Sequence, residues 1–586
     1  MSKTLVTTAL ESTWPVEGPI LFLGSWCCSF SRQDFWSSLD YEIISYHWDD
    51  RKKLLKDYSQ LEIVYEQFLV VLADRLNEIH GTKFPIRFWR ILIGPWLYTS
   101  IQVIFDRWYM LTKAIKHEKS MNVFVLDNGV SSLITDDMDA FNNAIETDIW
   151  NEALYSYLLK NFFQSEVLIK NVKNNIDLED RKILFWRGGL KVKLRKLSNI
   201  LSRILSGDND VFIIAPHMSF LKQILLHVKL RQFPVLWFRD KEELGYKNDF
   251  QLRKKMKLRC ETDILPDFAS VLNELLLNLI PRAYLEGFEH LLNSSNSQGW
   301  PKKPNTIFTS NSYASDEQFK CWVGGKVING SKLIIGQHGG NFGMSFLSSH
   351  EAHQMKIADK WFSWGWSSDF TPKVVPVGNF KSKFTRIKHR DSGDALMTTM
   401  TLPKYSYYLY SVPIAGQLAD YLDDQLKFAK ALPDYILNNL RVRLYTLDRG
   451  WDQKARWQTL NNKISFDNNK RSLVDSLRSS RVFIGTYNAT TYLEAFSVNM
   501  PSILFWNPLH WEVNAETATY FERLKRVKVL HDTPTSAATH LVKIWNNVDD
   551  WWFDNEVQDI IDDFNSRYSM QNPRLLNEMS MHLKAN

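Results

Sequence analysis

The stretch Lys332-Leu-Ile-Ile-Gly-Gln-His-Gly-Gly-Asn-Phe-Gly343, KLIIGQHGGNFG, decides the fold. Leu333, Ile334, Ile335 and Gly336 form a short apolar run of the kind that makes a strand buried on both faces. It stops abruptly at Gln337-His338-Gly339-Gly340. In open α/β sheets ligands bind beyond the carboxyl ends of strands, and paired glycines let backbone N–H groups approach an anion closely. The alternative is a tight turn holding a hydrogen-bonded histidine.

Outward from this stretch, short apolar runs alternate with helical patterns. Candidate strands are 211–215 (VFIIA), 234–238 (PVLWF), 306–310 (TIFTS), 333–336, 361–364 and 374–377, preceded by 19–24 (PILFLG) and 42–46 (EIISY). Between them, from about 52 to 205, apolar residues recur at three- and four-residue spacing (Leu61, Val64, Phe68, Leu72, Leu76), the pattern of amphipathic helices. The expectation is an α/β chain with a Rossmann-like domain over 1–380, interrupted by a large helical insertion at about 52–205. A polar linker is expected over 381–404. A second Rossmann-like domain follows over 405–545, with strands at 407–412 (YYLYSV), 442–446, 482–485, 502–505 and 527–530, and a helical tail over 546–586. Two such domains define the GT-B architecture of one large class of glycosyltransferases, in which donor and acceptor meet in a cleft; fold alone does not fix function.

Composition bounds the rest. The 586 residues exceed what one core supports, and 45% hydrophobic with 22 Trp describes a folded chain. A net charge of +6 gives no reason to expect nucleic acid. Basic clusters at 190–197 (LKVKLRKL) and 253–259 (RKKMKLR) suit phosphate-bearing substrates, anionic headgroups or a solvated helix face. The four cysteines show no metal or disulfide spacing, so neither zinc nor disulfides are expected. The first residues carry no apolar core of signal-peptide type, and the expected location is cytoplasmic, the inner face of the cytoplasmic membrane included. The charge-free segment 91–105 is 15 residues long, short of the roughly 20 that span a bilayer; it reads as a core helix or an interfacial one.

The most legible candidate site is 485–501, GTYNATTYLEAFSVNMP. A strand end is followed by hydroxyl side chains (Thr486, Thr490, Thr491), Asn488 and a helix start, a setting in which free N–H groups and the helix dipole suit a phosphate. Glu494 could accept from ribose hydroxyls; alternatively Thr491-Tyr-Leu-Glu494 is a plain capping box. Arg449 could clamp a phosphate or pair with Asp448 or Asp452. In the first domain His338 is the candidate base or phosphate partner, with Gln337, Gly339 and Gly340 beside it. Asp316 is a second candidate carboxylate or a helix cap. His217 and Glu286 are placed on an acceptor rim. No DxD-like pair stands at a strand end, so no metal or other cofactor is expected.

The pieces LVTTA, LFLGSWC, YHWDDR, WRILIGPWL, YLEGF, IGQHGGNFG and GTYNATTYLEAFSVNMP, in that order, resemble a family of bacterial transferases of surface-carbohydrate (capsule and lipopolysaccharide) synthesis. The HGG strand end, VGNF and TYNATT also resemble, more distantly, capsule transferases that use CMP-activated Kdo or pseudaminic acid, and teichoic acid polymerases that use CDP-glycerol. The resemblance implies a GT-B enzyme with a cytidine-nucleotide donor in the C-terminal domain, a base at His338, and phosphate contacts at Thr486, Asn488, Thr490 and Thr491. It implies transfer of a pseudaminic acid-like nonulosonic acid from CMP to a glycan acceptor with retention, peripheral association with the inner membrane being compatible with it. The alternative is a CDP-polyol phosphotransferase or another sugar-nucleotide transferase. One departure stands out: the polymerases carry His-Pro where this chain has Asp448-Arg449-Gly450.

Overall fold

The computed structural model describes residues 2–127, 129–173, 190–238, 246–381 and 385–584. Their strands form three parallel sheets, not two. The first joins β1 (Thr4–Val6), β2 (Ile20–Phe22), β3 (Tyr41–Ile43), β4 (Met121–Leu126) and β5 (Val167–Val172) in the order 3-2-1-4-5. The second joins β6 (Phe212–Ile214), β7 (Thr306–Thr309), β8 (Lys332–Gly336), β9 (Lys360–Ser363) and β10 (Val374–Pro376) in the order 10-9-8-7-6. The third joins β11 (Asp394–Thr398), β12 (Leu440–Arg443), β13 (Ser465–Phe466), β14 (Ser480–Gly485), β15 (Ser502–Phe505) and β16 (Leu530–His531) in the order 13-12-11-14-15-16.

This architecture corrects two expectations. The stretch at 52–205 is not purely helical: β4 and β5 lie inside it and complete the first sheet, and residues 174–189 of it fall outside the described set. The expected linker holds β11, the central strand of the third sheet, while residues 382–384 of it are likewise outside the described set. The aromatic run 407–412 is a loop, joined to Ser348 through a bridge at Tyr410. In DALMT a single leading Asp and four buried residues make a strand too short to show period-two alternation.

The segment 91–105 lies within the helix Ile86–His117, whose residues from Ile91 to Arg107 are all buried. It packs against the helices Arg51–His80 and Glu317–Ile328. Among the described residues no helix is long and apolar enough to cross a membrane. Arg107 ties this helix to the third region. Its fully buried guanidinium donates to Asp106 Oδ2 (2.8 Å), Asn151 Oδ1 (2.9 Å) and both the carbonyl and the hydroxyl of Ser406 (2.8 Å each).

Candidate functional site

Parallel sheets bind ligands where the strand order reverses, because loops there leave in opposite directions and open a crevice. In the third sheet that point lies between β11 and β14. The loops after both strands, with Met400, Thr401 and Leu402 on one side and Tyr487, Asn488 and Ala489 on the other, line a cavity of about 330 Å³. The opposite wall is the loop after β8, His338 to Phe342, together with His350. Tyr407, Tyr408, Tyr410, Tyr445 and Arg449 close its side. The equivalent reversal in the first sheet, between β1 and β4, is filled by the protein: Trp26 Nε1 donates to the Thr7 carbonyl (3.1 Å) and Thr7 Oγ1 to Glu152 (3.0 Å).

The two loops of the cavity touch. Gly340 N–H donates to Thr490 Oγ1 at 2.8 Å, and a Cβ at Gly340 would lie 2.5 Å from the Ala489 carbonyl carbon, so the chain passes there without room for a side chain. Gln337 is a brace rather than a ligand group. Buried, it donates through Nε2 to the Gly339 carbonyl (2.8 Å) and accepts through Oε1 from Trp364 N–H (2.9 Å) and Trp366 Nε1–H (3.1 Å).

His338 sits on the cavity wall with its ring centre 5.9 Å from His217, 5.8 Å from His350 and 4.9 Å from Phe342. Its Nδ1 is buried and has no hydrogen-bond partner. Burial, then the neighbouring His350, His217 and Lys381, push its pKa well below the ordinary histidine value, against a raising contribution from the Ser310 carbonyl. His217 is lowered by burial and by Lys381 while Asn311 opposes, so the ends of β6, β7 and β8 converge. His350 is lowered to about 4 by burial; its Nε2 pairs with Tyr313 Oη (2.8 Å) and its Nδ1 with Tyr98 Oη (3.3 Å). These imidazoles are neutral near pH 7, and the positive charge at this end is Lys381, itself lowered by burial and raised by Glu494.

The helix after β14 is Thr490–Ser497, with Ala489 as N-cap and no side-chain cap. The Thr491–Glu494 capping box therefore does not form: Thr491 is inside the helix, accepting from Thr398 Oγ1 (3.4 Å), and the first-turn N–H groups lack a side-chain cap beside the cavity. Thr486 is buried, paired with Tyr421 Oη (2.7 Å) and donating to the Thr398 carbonyl (2.8 Å), which makes it a support of the loop. Asn488, also buried, accepts from Tyr492 Oη (2.9 Å) and faces the cavity. Glu494 is half-buried near Lys381 and Tyr487.

Arg449 reaches the wall from a backbone at φ 57°. Its partner is Glu146, which sequence reasoning did not find, and not Asp448 or Asp452; Asp448 accepts instead from the N–H groups of Asp452 (2.7 Å) and Gln453 (2.8 Å). Two expected residues lie elsewhere. Asp316 caps the helix Glu317–Ile328 by accepting from Phe319 N–H (3.1 Å). Glu286 forms a buried two-pronged ion pair with Arg253 (2.7 Å each). Neither lines the cavity.

His350, Lys381, Glu146 and the tyrosines 407, 408 and 410 were missed as site residues. Their sequence signal is slight, since the tyrosine run mimics a strand and the others stand alone. No aspartate or glutamate is among the described residues lining the cavity. The described group able to hold a metal ion, His389, Asp391 and Asp549, is not among those lining residues either.

Three parallel sheets and a cavity at a strand-order reversal are the setting of an α/β enzyme. A family model of transferases matches residues 3–583, and the chain belongs to that family, the LIC12162 family of transferases. No curated protein matches it. Among solved structures it is similar to S. aureus MnaA in a co-structure with UDP (11% identity, TM-score 0.35). It is also similar to a protein of Listeria monocytogenes described as a UDP-N-acetylglucosamine 2-epimerase (8% identity, TM-score 0.37). Each likeness covers 64% of this chain and 96% of the other; neither bears on what this chain binds.

Proposed function

We propose that this transferase is a glycosyltransferase that moves a nonulosonic acid of the pseudaminic acid type from a CMP-activated donor to a surface-glycan acceptor. The observation that supports it is the joining of the two loops: Gly340 N–H on Thr490 Oγ1 sets the unpartnered Nδ1 of a neutral His338 and the uncapped helix start at Thr490 on one cavity. In this reading the residues from β11 onward hold the donor and the residues before it the acceptor. The CMP phosphate lies at the N–H groups of the helix Thr490–Ser497, whose dipole favours an anion, with Lys381 and Arg449 neutralising the charge that develops as the glycosidic bond breaks. His338 takes the proton of the acceptor hydroxyl on its unpartnered Nδ1, the ring being unprotonated when the substrate arrives. The tyrosines 407, 408 and 410 offer faces for a base or a sugar ring. Retention of configuration and the identity of the sugar rest on the sequence resemblance alone. No metal is required in this reading, and the reaction belongs to the cytoplasmic side of the membrane.

The test is release of CMP from CMP-pseudaminic acid in the presence of a glycan acceptor. His338→Gln is expected to slow it by roughly 10²–10⁴-fold with nucleotide binding retained, the usual worth of a positioned base. EDTA should leave the rate unchanged. Turnover with CDP-glycerol and not with the CMP sugar would replace this reading by a polyol phosphotransferase. A thermal shift with UDP or GDP but not with CMP or CDP would end the cytidine assignment.

A further inference from the structure

The helix Leu190–Leu205, LKVKLRKLSNILSRIL, is mounted the wrong way round for a water-soluble surface. Among the described residues it hydrogen-bonds to the body through serine and asparagine. Ser198 and Ser202 hydroxyls donate to the Leu236 carbonyl (3.1 and 3.0 Å), and Asn199 exchanges hydrogen bonds with the Phe238 carbonyl and N–H (2.9 Å each). Asn199 and Ser202 are buried, whereas Leu194, Leu197, Ile200, Leu201, Ile204 and Leu205 are exposed, Ile204 to 73%. At 100° per residue these six residues occupy one arc of about 140°, and Ser198, Ser202 and Asn199 occupy a separate arc of about 100° next to it. Water gives no reason to turn leucines outward while serines dock, so this face is built for a partner.

The charge selects the partner. The sixteen residues include Lys191, Lys193, Arg195, Lys196 and Arg203 and no acid. Arg203 lies against Gly299, and the following segment brings the exposed Lys302, paired with the Asp208 carboxylate at 3.8 Å, and Lys303, whose N–H donates to the Asp208 carbonyl (2.9 Å), beside the end of the helix. A second copy of the chain would present the same cations across a two-fold contact and repel. A bilayer surface carrying anionic lipid attracts them and accepts the apolar arc to a depth of roughly 5–10 Å.

We propose that this helix is a monotopic anchor that seats the protein on an anionic phospholipid bilayer, lying in the plane of the interface. The proposal is independent of the donor assignment, since it can be read without turnover. Full-length protein is sedimented with vesicles of phosphatidylcholine alone or mixed with phosphatidylglycerol, at low and at high salt. Binding is expected to the phosphatidylglycerol vesicles, weakened by salt, with little to phosphatidylcholine. Leu197→Asp/Ile204→Asp should lower partitioning at least about tenfold, because the apolar arc supplies the insertion. Arg195→Glu/Arg203→Glu should do the same, each basic residue being worth roughly fivefold at such a surface. All four side chains are exposed, and unchanged thermal unfolding of the variants confirms that the fold persists. Absence of wild-type binding, equal binding by both variants, or binding indifferent to lipid charge overturns the proposal. A concentration-dependent dimer that Leu197→Asp/Ile204→Asp abolishes, without vesicle binding, overturns it in favour of a second copy.

Discussion

Gly340→Ala tests the site at its narrowest point. The new Cβ would lie 2.5 Å from the carbonyl carbon of Ala489, 2.6 Å from its oxygen and 2.8 Å from Thr490 N. These are backbone atoms, unable to swing aside as a side chain does. Carbon atoms settle at about 3.5 Å or more, so the two loops must part by about 1 Å. Overpacking of this kind costs about 1–3 kcal/mol, and breaking the Gly340 N–H to Thr490 bond adds about 1 kcal/mol. A displacement of that size between a catalytic group and the group that positions its substrate costs up to roughly 100-fold in rate. Gly339→Ala is the milder comparison, since its Cβ would meet only Thr490 Oγ1, at 3.2 Å, a contact that a shift of a few tenths of an ångström relieves. Denaturant unfolding, nucleotide-induced thermal shift and donor turnover read the two variants side by side. The expected order is wild type, then Gly339→Ala close behind it, then Gly340→Ala lower in all three. A Gly340→Ala protein equal to wild type, or a Gly339→Ala protein worse than Gly340→Ala, would refute the claim that the loops form one site by contact.

Three further outcomes follow from the same geometry. His350, pushed down to about 4 by burial, stays neutral in the folded chain where an unfolded histidine would protonate near 6.5. The unfolded state therefore binds more protons in that window, so the contribution is whole above about pH 6.5 and drains as pH falls toward 4; His350→Asn should flatten this slope in unfolding measured against pH. Glu146→Gln frees Arg449 from its carboxylate partner and should tighten binding of nucleotide monophosphates severalfold by calorimetry, and an unchanged affinity would remove Arg449 from the donor site. Arg107→Met leaves Asp106 buried beside Tyr46 and His47 without its cation and should cost about 3–5 kcal/mol in unfolding, with loss of nucleotide binding at the same denaturant concentration.

What the sequence made legible was what depends on local pattern. The strand ends at His338, His217 and Thr486 stand where apolar runs meet polar loops; β6 and β8 bring His217 and His338 to one end of the second sheet, and Thr486 follows β14 of the third. The meeting of the HGG and TYNATT loops at Gly340 and Thr490 joins two different sheets and is seen only in the structure. The number of sheets was not legible. The strands at 121–126 and 167–172 sit among long helices, and a six-residue run cannot announce which sheet it will join. Partners set by tertiary contact were equally hidden: nothing near Arg449 names Glu146, and Asp316 and Glu286 look as reactive in sequence as any carboxylate until a helix N-terminus and Arg253 occupy them.

The cavity draws its walls from residues as far apart in the chain as His338, Tyr408 and Asn488; Glu146, outside the lining, holds Arg449, and Arg107 binds the first region to Ser406. Such a pocket is a long-range object. Loop closure over hundreds of residues has to be complete before any two of its walls face each other. A nascent or clipped chain would lack this pocket. Under the proposed function, donor binding would thus read out finished assembly.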